Sequence, residues 1–116
     1  MTTDDLRTLI AEEIAFAECA RAEGNEGRAR VHARRAAGAA AQMYRMVYFP
    51  IEPRLSGFRH LQRITADINL PDDLRAAAAR LTVRVTPEHT LPHVEDPLED
   101  AQYLADALLA RLAQAH

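Results

Sequence analysis

The sequence of 116 residues contains no lysine and no tryptophan, a single cysteine, four glycines and only 5% aromatic residues. The lone Cys19 excludes an internal disulfide and a four-cysteine zinc site, and its helical surroundings predict a core or half-buried residue. The shortage of aromatic residues beside abundant alanine favours helices over a sandwich or a barrel. No run approaches about 18 apolar residues and the acidic amino terminus lacks a signal-peptide pattern, so we expect a cytoplasmic protein without a membrane segment.

Positive charge is concentrated in one part of the chain. Residues 28–63, the basic block, contain eight arginines and one acid, whereas the rest contains six arginines and sixteen acids. The formal net charge of −3 therefore combines +7 inside the block with −10 outside it. Such a split favours an anionic partner, or contact with an acidic surface of the same or another subunit. Because every basic side chain is arginine, the block offers planar, permanently charged groups that suit phosphate and carboxylate.

Apolar residues recur at spacings of three and four, which predicts an all-α fold, an antiparallel up-and-down bundle of four to five helices in one domain, residues 1–116. Thr2 or Thr3 is expected to cap the first helix, and the short break at residues 24–27 makes a hairpin with a second helix from about residue 26 to 48. Alanines form the stripe of this helix, which predicts the central helix of a tight bundle. The stripe is expected to end with Val47 and Tyr48, and Arg45 to fall away from it.

Prolines and capping residues divide the remaining chain. Ser56 is expected to cap a third helix, Pro71 to be the first residue of a fourth, and Asp96 to cap a last helix that begins at Pro97. Residues 82–95 are predicted to be irregular, and a loop of this length is often functional. The residues expected to point inward from the last three helices are Phe58, Leu61, Ile64, Thr65, Ile68, Leu74, Ala77, Ala78, Leu81, Ala101, Leu104, Ala105, Leu108, Leu112 and Ala115.

Three stretches resemble the HEPN domain, a small helical bundle named from higher eukaryotes and prokaryotes. Residues 28–44 look like the alanine-rich second helix of that family. The sequence Phe-Arg-His-Leu at 58–61 is similar in place to its short His-Asp-Leu segment, and Arg-Val-Thr-Pro at 84–87 looks like its Arg-Tyr-Pro region. The resemblance implies a HEPN-like bundle that forms a homodimer and often serves beside a nucleotidyltransferase, including in toxin–antitoxin pairs.

The first functional hypothesis is a binding module that contacts RNA, a nucleotide or an acidic protein partner. Its candidate binding residues are Arg28, Arg30, Arg34, Arg35 and Arg59. Few aromatic residues lie in the basic block, and some belong to the core stripe, so stacking on single-stranded nucleic acid is weakly supported by the sequence. Neither a cofactor nor a metal is predicted: His89 and His93 are four residues apart, but Pro92 between them disrupts helical metal-binding geometry.

The second hypothesis is a metal-independent endoribonuclease that uses Arg84 and His89. Ribonucleases that the chain resembles carry an arginine followed a few residues later by a histidine, as Arg84 is followed by His89 here. Histidine can accept the proton of the attacking 2′-hydroxyl, and arginine can stabilise charge on the phosphate. Val85 stands where catalytic relatives have a polar residue, and Pro87 interrupts the spacer, so the sequence favours binding over catalysis. The basic block also lies outside this loop.

The third hypothesis is a non-catalytic, structural homo-oligomer. Its basic face would pair with acidic residues on the first or last helix of a neighbouring copy, and symmetric dimers are the commonest assembly. The candidate acidic residues are Glu12, Glu13, Glu18, Glu99, Asp100 and Asp106.

Overall fold

The computed structural model describes residues 1–49, 55–84 and 91–114, which form helices and their connections without a strand. The helices are α1 (Thr3–Ala22), α2 (Glu26–Tyr48), α3 (Gly57–Thr65), α4 (Asp72–Thr82) and α5 (Pro97–Gln114). Each helix packs on the next one along the chain, and α2 contacts the other four. The predicted all-α, antiparallel up-and-down bundle is therefore confirmed, with α2 at its centre.

A three-residue turn reverses the chain between α1 and α2. Gly24 has a φ of 80°, a left-handed conformation that glycine adopts without a Cβ clash. Its N–H donates to the carbonyl of Arg21 at 2.9 Å and closes the end of α1. Asn25 then caps α2, because its side-chain oxygen accepts the N–H of Arg28 at 3.0 Å. The turn therefore makes α1 and α2 an antiparallel hairpin.

Alanine forms most of the buried face of α2 and permits close packing of the neighbouring helices. The fully buried alanines are Ala29, Ala33, Ala36, Ala37, Ala40 and Ala41. The last turn differs from the prediction, because Val47 and Tyr48 are exposed whereas Arg45 is buried. There the Tyr48 hydroxyl reaches the carbonyl of Arg111 at 3.2 Å, at the end of the bundle. The guanidinium carbon of Arg45 lies 4.9 Å from the ring centre of Phe49, within the range of a cation–π contact.

The short α3 buries only part of the predicted stripe. Leu61 and Ile64 are fully buried, whereas Phe58 is 38% and Ile68 84% exposed. Because α3 ends at Thr65, Ile68 lies in the turn that follows rather than on the helix. Phe58 lies in the first turn of α3, and its ring faces a side chain of α2 instead of the core.

The inner stripes of α4 and α5 are as predicted: all of the expected residues from Leu74 to Leu112 are buried. Pro71 is the N-cap residue of α4, which begins at Asp72, one residue later than predicted. Asp96 caps α5 by accepting the N–H of Leu98 at 3.0 Å. The predicted irregular segment spans residues 82–95, but Thr82 is still the last residue of α4. The other described parts of the segment, residues 83–84 and 91–95, contain no helix. Ala115 lies outside the described residues.

Candidate anion-binding groove

A groove of about 460 Å³ opens between the first half of α2, the start of α3 and the end of α4. Its size lies within the range of about 300–1,000 Å³ that is typical of ligand-binding clefts. We call it the basic groove, because three of its eight lining residues are arginines. The lining residues are Gly27, Arg30, Val31, Arg34, Phe58, Thr82, Val83 and Arg84.

The first half of α2 supplies two of the three arginines. Arg30 and Arg34 are four residues apart, so they lie on the same face of the helix, one turn apart. Ala29 and Ala33, each preceding one of them, are fully buried and fix the rotation of α2 about its axis. A Cβ atom at Gly27 would lie 3.8 Å from the Arg30 guanidinium, which therefore folds back along the first turn of the helix.

A contact between two glycines places α3 against this face. A Cβ atom on Gly38 would lie 3.2 Å from the Cα of Gly57, and one on Gly57 would lie 3.2 Å from the Cα of Gly38. The two backbones therefore touch, which places Phe58 beside the arginine one turn before Gly38. The guanidinium carbon of Arg34 lies 5.5 Å from the centre of the Phe58 ring, within the range of a cation–π contact.

The third arginine enters the groove from the end of α4. Thr82 is the last residue of α4, and its hydroxyl lies 3.1 Å from the carbonyl oxygens of Ala78 and Ala79. The single hydroxyl proton is used inside the helix, so Thr82 contributes little as a donor to a ligand. Val83 is extended, and the exposed Arg84 follows it. The positive charge on this side of the groove therefore comes from Arg84.

Within residues 1–49, 55–84 and 91–114, no carboxylate lies within ion-pair distance of Arg30, Arg34 or Arg84. Arg80, beside them in a small adjoining recess, differs: its guanidinium donates two hydrogen bonds of 2.8 Å to Asp100. These bonds raise the pKa of Arg80 above its usual value. One arginine near the groove is thus neutralised inside the protein, and the other three keep their charge for a ligand.

The structure separates the predicted binding residues. Arg30 and Arg34 line the basic groove, but Arg28 lines a different pocket, between α1 and α2. Arg35 is exposed and lines neither, and Arg59 donates to the side chain of Gln62 at 3.3 Å. Of the predicted catalytic pair, Arg84 lies in the basic groove and His89 lies outside the described residues.

Arg84 lies outside the basic block in the sequence but meets two of its arginines in three dimensions. Arg84 lies about fifty positions after Arg34 in the sequence, yet both line the same groove. The reason is the packing of α3 and α4 on one another, which returns the end of α4 to the α2 face. Any ligand held by Arg30 and Arg34 would therefore also meet Arg84.

Sequence reasoning missed the pocket of about 160 Å³ that Cys19 and His32 line together. Cys19 is exposed, so the prediction of a buried or half-buried thiol is wrong. It lies on α1, next to the buried Ala20 in the sequence. His32 points its Nδ1 at the Glu13 carboxylate at 2.7 Å, and its ring lies 5.4 Å from that of Phe16. Only the spacing across the α1–α2 hairpin could have indicated this pairing.

Two of the acidic residues proposed for contact with a neighbouring copy are paired with basic side chains of the same chain. Asp100 is buried and bound by Arg80, and Glu13 is paired with His32. The other four acidic residues are all exposed: Glu12, Glu18, Glu99 and Asp106. The structural homo-oligomer hypothesis thus keeps only part of its acidic surface.

The described residues contain no cluster of three or more histidine, cysteine, aspartate or glutamate side chains that would hold a metal ion. Among the described helices, none is long and apolar enough to cross a membrane. No family model, no curated protein and no solved structure matches this chain. Its functional interpretation therefore depends on the geometry of the basic groove.

Proposed function

We propose that this chain is a HEPN-like binding module that holds an anionic partner, RNA above all, in the basic groove. One observation carries the proposal: Arg30, Arg34 and Arg84 line one open groove and have no carboxylate partner among the described residues. Arginines that stabilise a fold are usually paired, as Arg21 and Arg80 are here. Three charged guanidinium groups without acidic partners attract phosphate or carboxylate groups of another molecule.

The test is a titration of fluorescein-labelled RNA, followed by fluorescence anisotropy at several salt concentrations. Each phosphate contact with a single strand contributes about −0.7 to the slope of log K against log salt, so two to three contacts predict a slope of about −1.4 to −2. Arg84→Gln should reduce the slope by about 0.7. Arg7→Gln removes the same charge from the groove between α1 and α5 and is the matched control, with little effect expected. Absence of RNA binding at low salt would refute the RNA version and leave a nucleotide or an acidic protein as partner.

The wider role follows from the resemblance to HEPN domains. We propose a homodimer that acts beside a nucleotidyltransferase or in a toxin–antitoxin pair. Sizing by light scattering at low and high salt tests the dimer, and a monomer at every concentration would refute it. Co-purification with a nucleotidyltransferase encoded next to this chain tests the partner.

A second candidate function is metal-independent cleavage of RNA, favoured by the position of Arg84 in the basic groove. In this reaction His89 would take the proton of a 2′-hydroxyl as its oxygen attacks the adjacent phosphorus, while Arg84 would stabilise the negative charge on the attacked phosphate. The bond from phosphorus to the 5′-oxygen then breaks, and the leaving oxygen takes a proton from water. This hypothesis is tested by comparing the digestion of RNA by the protein and by His89→Ala, in the presence of a chelator. Activity lost in the variant supports cleavage; equal activity in both, or none in either, refutes it.

A further inference from the structure

Phe58 is an aromatic side chain exposed among three cationic ones. It is 38% exposed, although Leu61 and Ile64 on the same short helix are fully buried and supply the apolar packing. Its ring lines the basic groove, in contact with the Arg34 guanidinium. A groove that served phosphate alone would require its arginines and no ring, so the position of Phe58 indicates a ligand with a flat, apolar part.

The Arg34–Phe58 pair provides two planar groups next to one another. Nucleic-acid bases stack on aromatic rings and on guanidinium planes, and each such contact is sequence-tolerant because every base has a π-face. In a duplex the faces of the bases are already covered by their neighbours, so only an unpaired base can use these surfaces. The remaining charges, Arg30 and Arg84, are on the same groove and suit the flanking phosphates.

We propose that the basic groove selects single-stranded RNA, with one unpaired base stacked on the Arg34–Phe58 pair and the flanking phosphates bound by Arg30 and Arg84. This inference rests on the proposed function, since it names the form of RNA that the groove takes. The groove volume of about 460 Å³ fits one nucleotide-sized unit within the ordinary range of ligand clefts. A free nucleotide lacks the second flanking phosphate. An acidic peptide lacks the base.

The experiment compares three labelled ligands of equal length: a single-stranded RNA, its duplex, and an abasic strand that keeps the ribose and phosphates but has no bases. The single strand should bind more tightly than the abasic strand by about 5- to 150-fold, the range expected for one stacked base. The duplex should bind more weakly than the single strand under the same salt conditions.

Substitutions at Phe58 and Arg84 distinguish the contribution of the ring to binding from that of the charges. Phe58→Leu should weaken binding of the single strand by up to that factor, leave binding of the abasic strand unchanged and leave the salt slope unchanged. Phe58→Tyr keeps an aromatic ring and should preserve the preference for bases, so a general defect in folding is distinguished from loss of stacking. Arg84→Gln should weaken both strands and reduce the slope by about 0.7 for each.

The possible results separate the two proposals. Equal affinity for the normal and abasic strands, or a duplex bound as tightly as the single strand, would overturn the single-strand inference while anion binding stands. Competition by a free mononucleotide as strong as that of the oligomer would also overturn it, in favour of a nucleotide ligand. Failure of the single strand, the duplex and the abasic strand to bind at low salt would refute the proposed RNA-binding function itself.

Discussion

Gly38 on α2 and Gly57 at the start of α3 touch backbone to backbone. A Cβ atom on Gly38 would lie 3.2 Å from both the Cα and the carbonyl carbon of Gly57. Such a distance is shorter than ordinary contact, and backbone atoms cannot move aside as a flexible side chain can. This contact sets the distance between α2 and α3, and with it the position of Phe58 beside Arg34.

We therefore expect Gly38→Ala to destabilise the protein. Alanine is a better helix former than glycine by about 1 kcal/mol, but inserting a methyl group into a packed interface costs about 1–3 kcal/mol. The net loss in free energy of unfolding should be about 0–2 kcal/mol, measured by urea denaturation. Gly27→Ala, in the first turn of the same helix, is the control, because its Cβ would have no neighbour closer than 3.8 Å. If Gly38→Ala instead stabilises the protein as much as Gly27→Ala does, or more, the interface between α2 and α3 can accommodate the methyl group.

The same contact couples stability to the groove. If α3 moves away from α2, the Phe58 ring leaves Arg34, and RNA affinity should fall in Gly38→Ala but not in Cys19→Ser, whose substitution lies in a different pocket. A variant Gly38→Ala that is destabilised yet binds RNA with unchanged affinity would show that the groove does not depend on the glycine contact.

Asp96 joins the start of α5 to the end of α1. Its carboxylate accepts hydrogen bonds of 2.9 and 2.8 Å from Arg21, and one of its oxygens also caps α5. We expect Asp96→Ala to lower the free energy of unfolding by about 1–2 kcal/mol, from the loss of the cap and of a partly exposed ion pair. Asp96→Asn keeps a capping side chain and should lose less. Equal losses in both variants would assign the effect to charge alone.

The pH dependence of the Asp96 contribution has a definite sign. The hydrogen bonds from Arg21 lower the pKa of Asp96. A lowered folded-state pKa stabilises the protein above the unfolded value of about 3.9, and that stability is lost as the pH falls through the folded-state pKa. The difference in urea midpoint between the protein and Asp96→Asn should be constant near neutral pH and shrink below about pH 4. A difference that grows on acidification would contradict this assignment.

Periodicity and capping residues were sufficient to predict the bundle. Local sequence predicts the bounds of α2, the caps at Ser56 and Asp96, and the inner stripes of α4 and α5, and it limits the first cap to Thr2 or Thr3. These features depend on residues a few positions apart, whose relative placement a helix fixes. They require no knowledge of how the helices pack.

The groove could be predicted only in part. Arg30 and Arg34 share a helix face, so their proximity follows from their spacing. Arg84 joins them through the packing of α3 and α4, and Phe58 through a contact between glycines that no periodic pattern reveals. The apolar character of Phe58 suggested the core, because a hydrophobic pattern does not distinguish a buried ring from one that lines a charged groove.

The exposure of Cys19 predicts its reactivity. Ellman's reagent should modify one thiol per chain in the native protein, without denaturant, because Cys19 is exposed. Cys19→Ser, with no other cysteine in the sequence, should give no signal and serves as the blank. Because Cys19 lies in the pocket with His32 and not in the basic groove, a label on it should leave RNA affinity unchanged. If modification requires urea, the thiol is buried in the native protein, as the sequence predicted.

Tyr103 and Asp73 join α5 to the first turn of α4, through a hydrogen bond from the tyrosine hydroxyl to the carboxylate. That bond raises the pKa of Tyr103 and lowers the pKa of Asp73. Both shifts stabilise the fold at neutral pH, and each contribution is lost on a different side of neutrality. The Asp73 contribution is present above about pH 3.9 and lost below it, and the Tyr103 contribution is present below about pH 10 and lost above it.

Tyr103→Phe removes both contributions at once. The difference in free energy of unfolding between the protein and Tyr103→Phe should therefore be largest and flat between about pH 5 and 9, and should decrease on either side. Tyr48→Phe is the control on the acid side, because its hydroxyl donates to a backbone carbonyl of Arg111, which carries no titrating charge. A difference for Tyr103→Phe that stays constant below pH 4 would show that the hydroxyl bonds to Asp73 equally well in its neutral form, and that this contact does not couple α4 and α5 to pH.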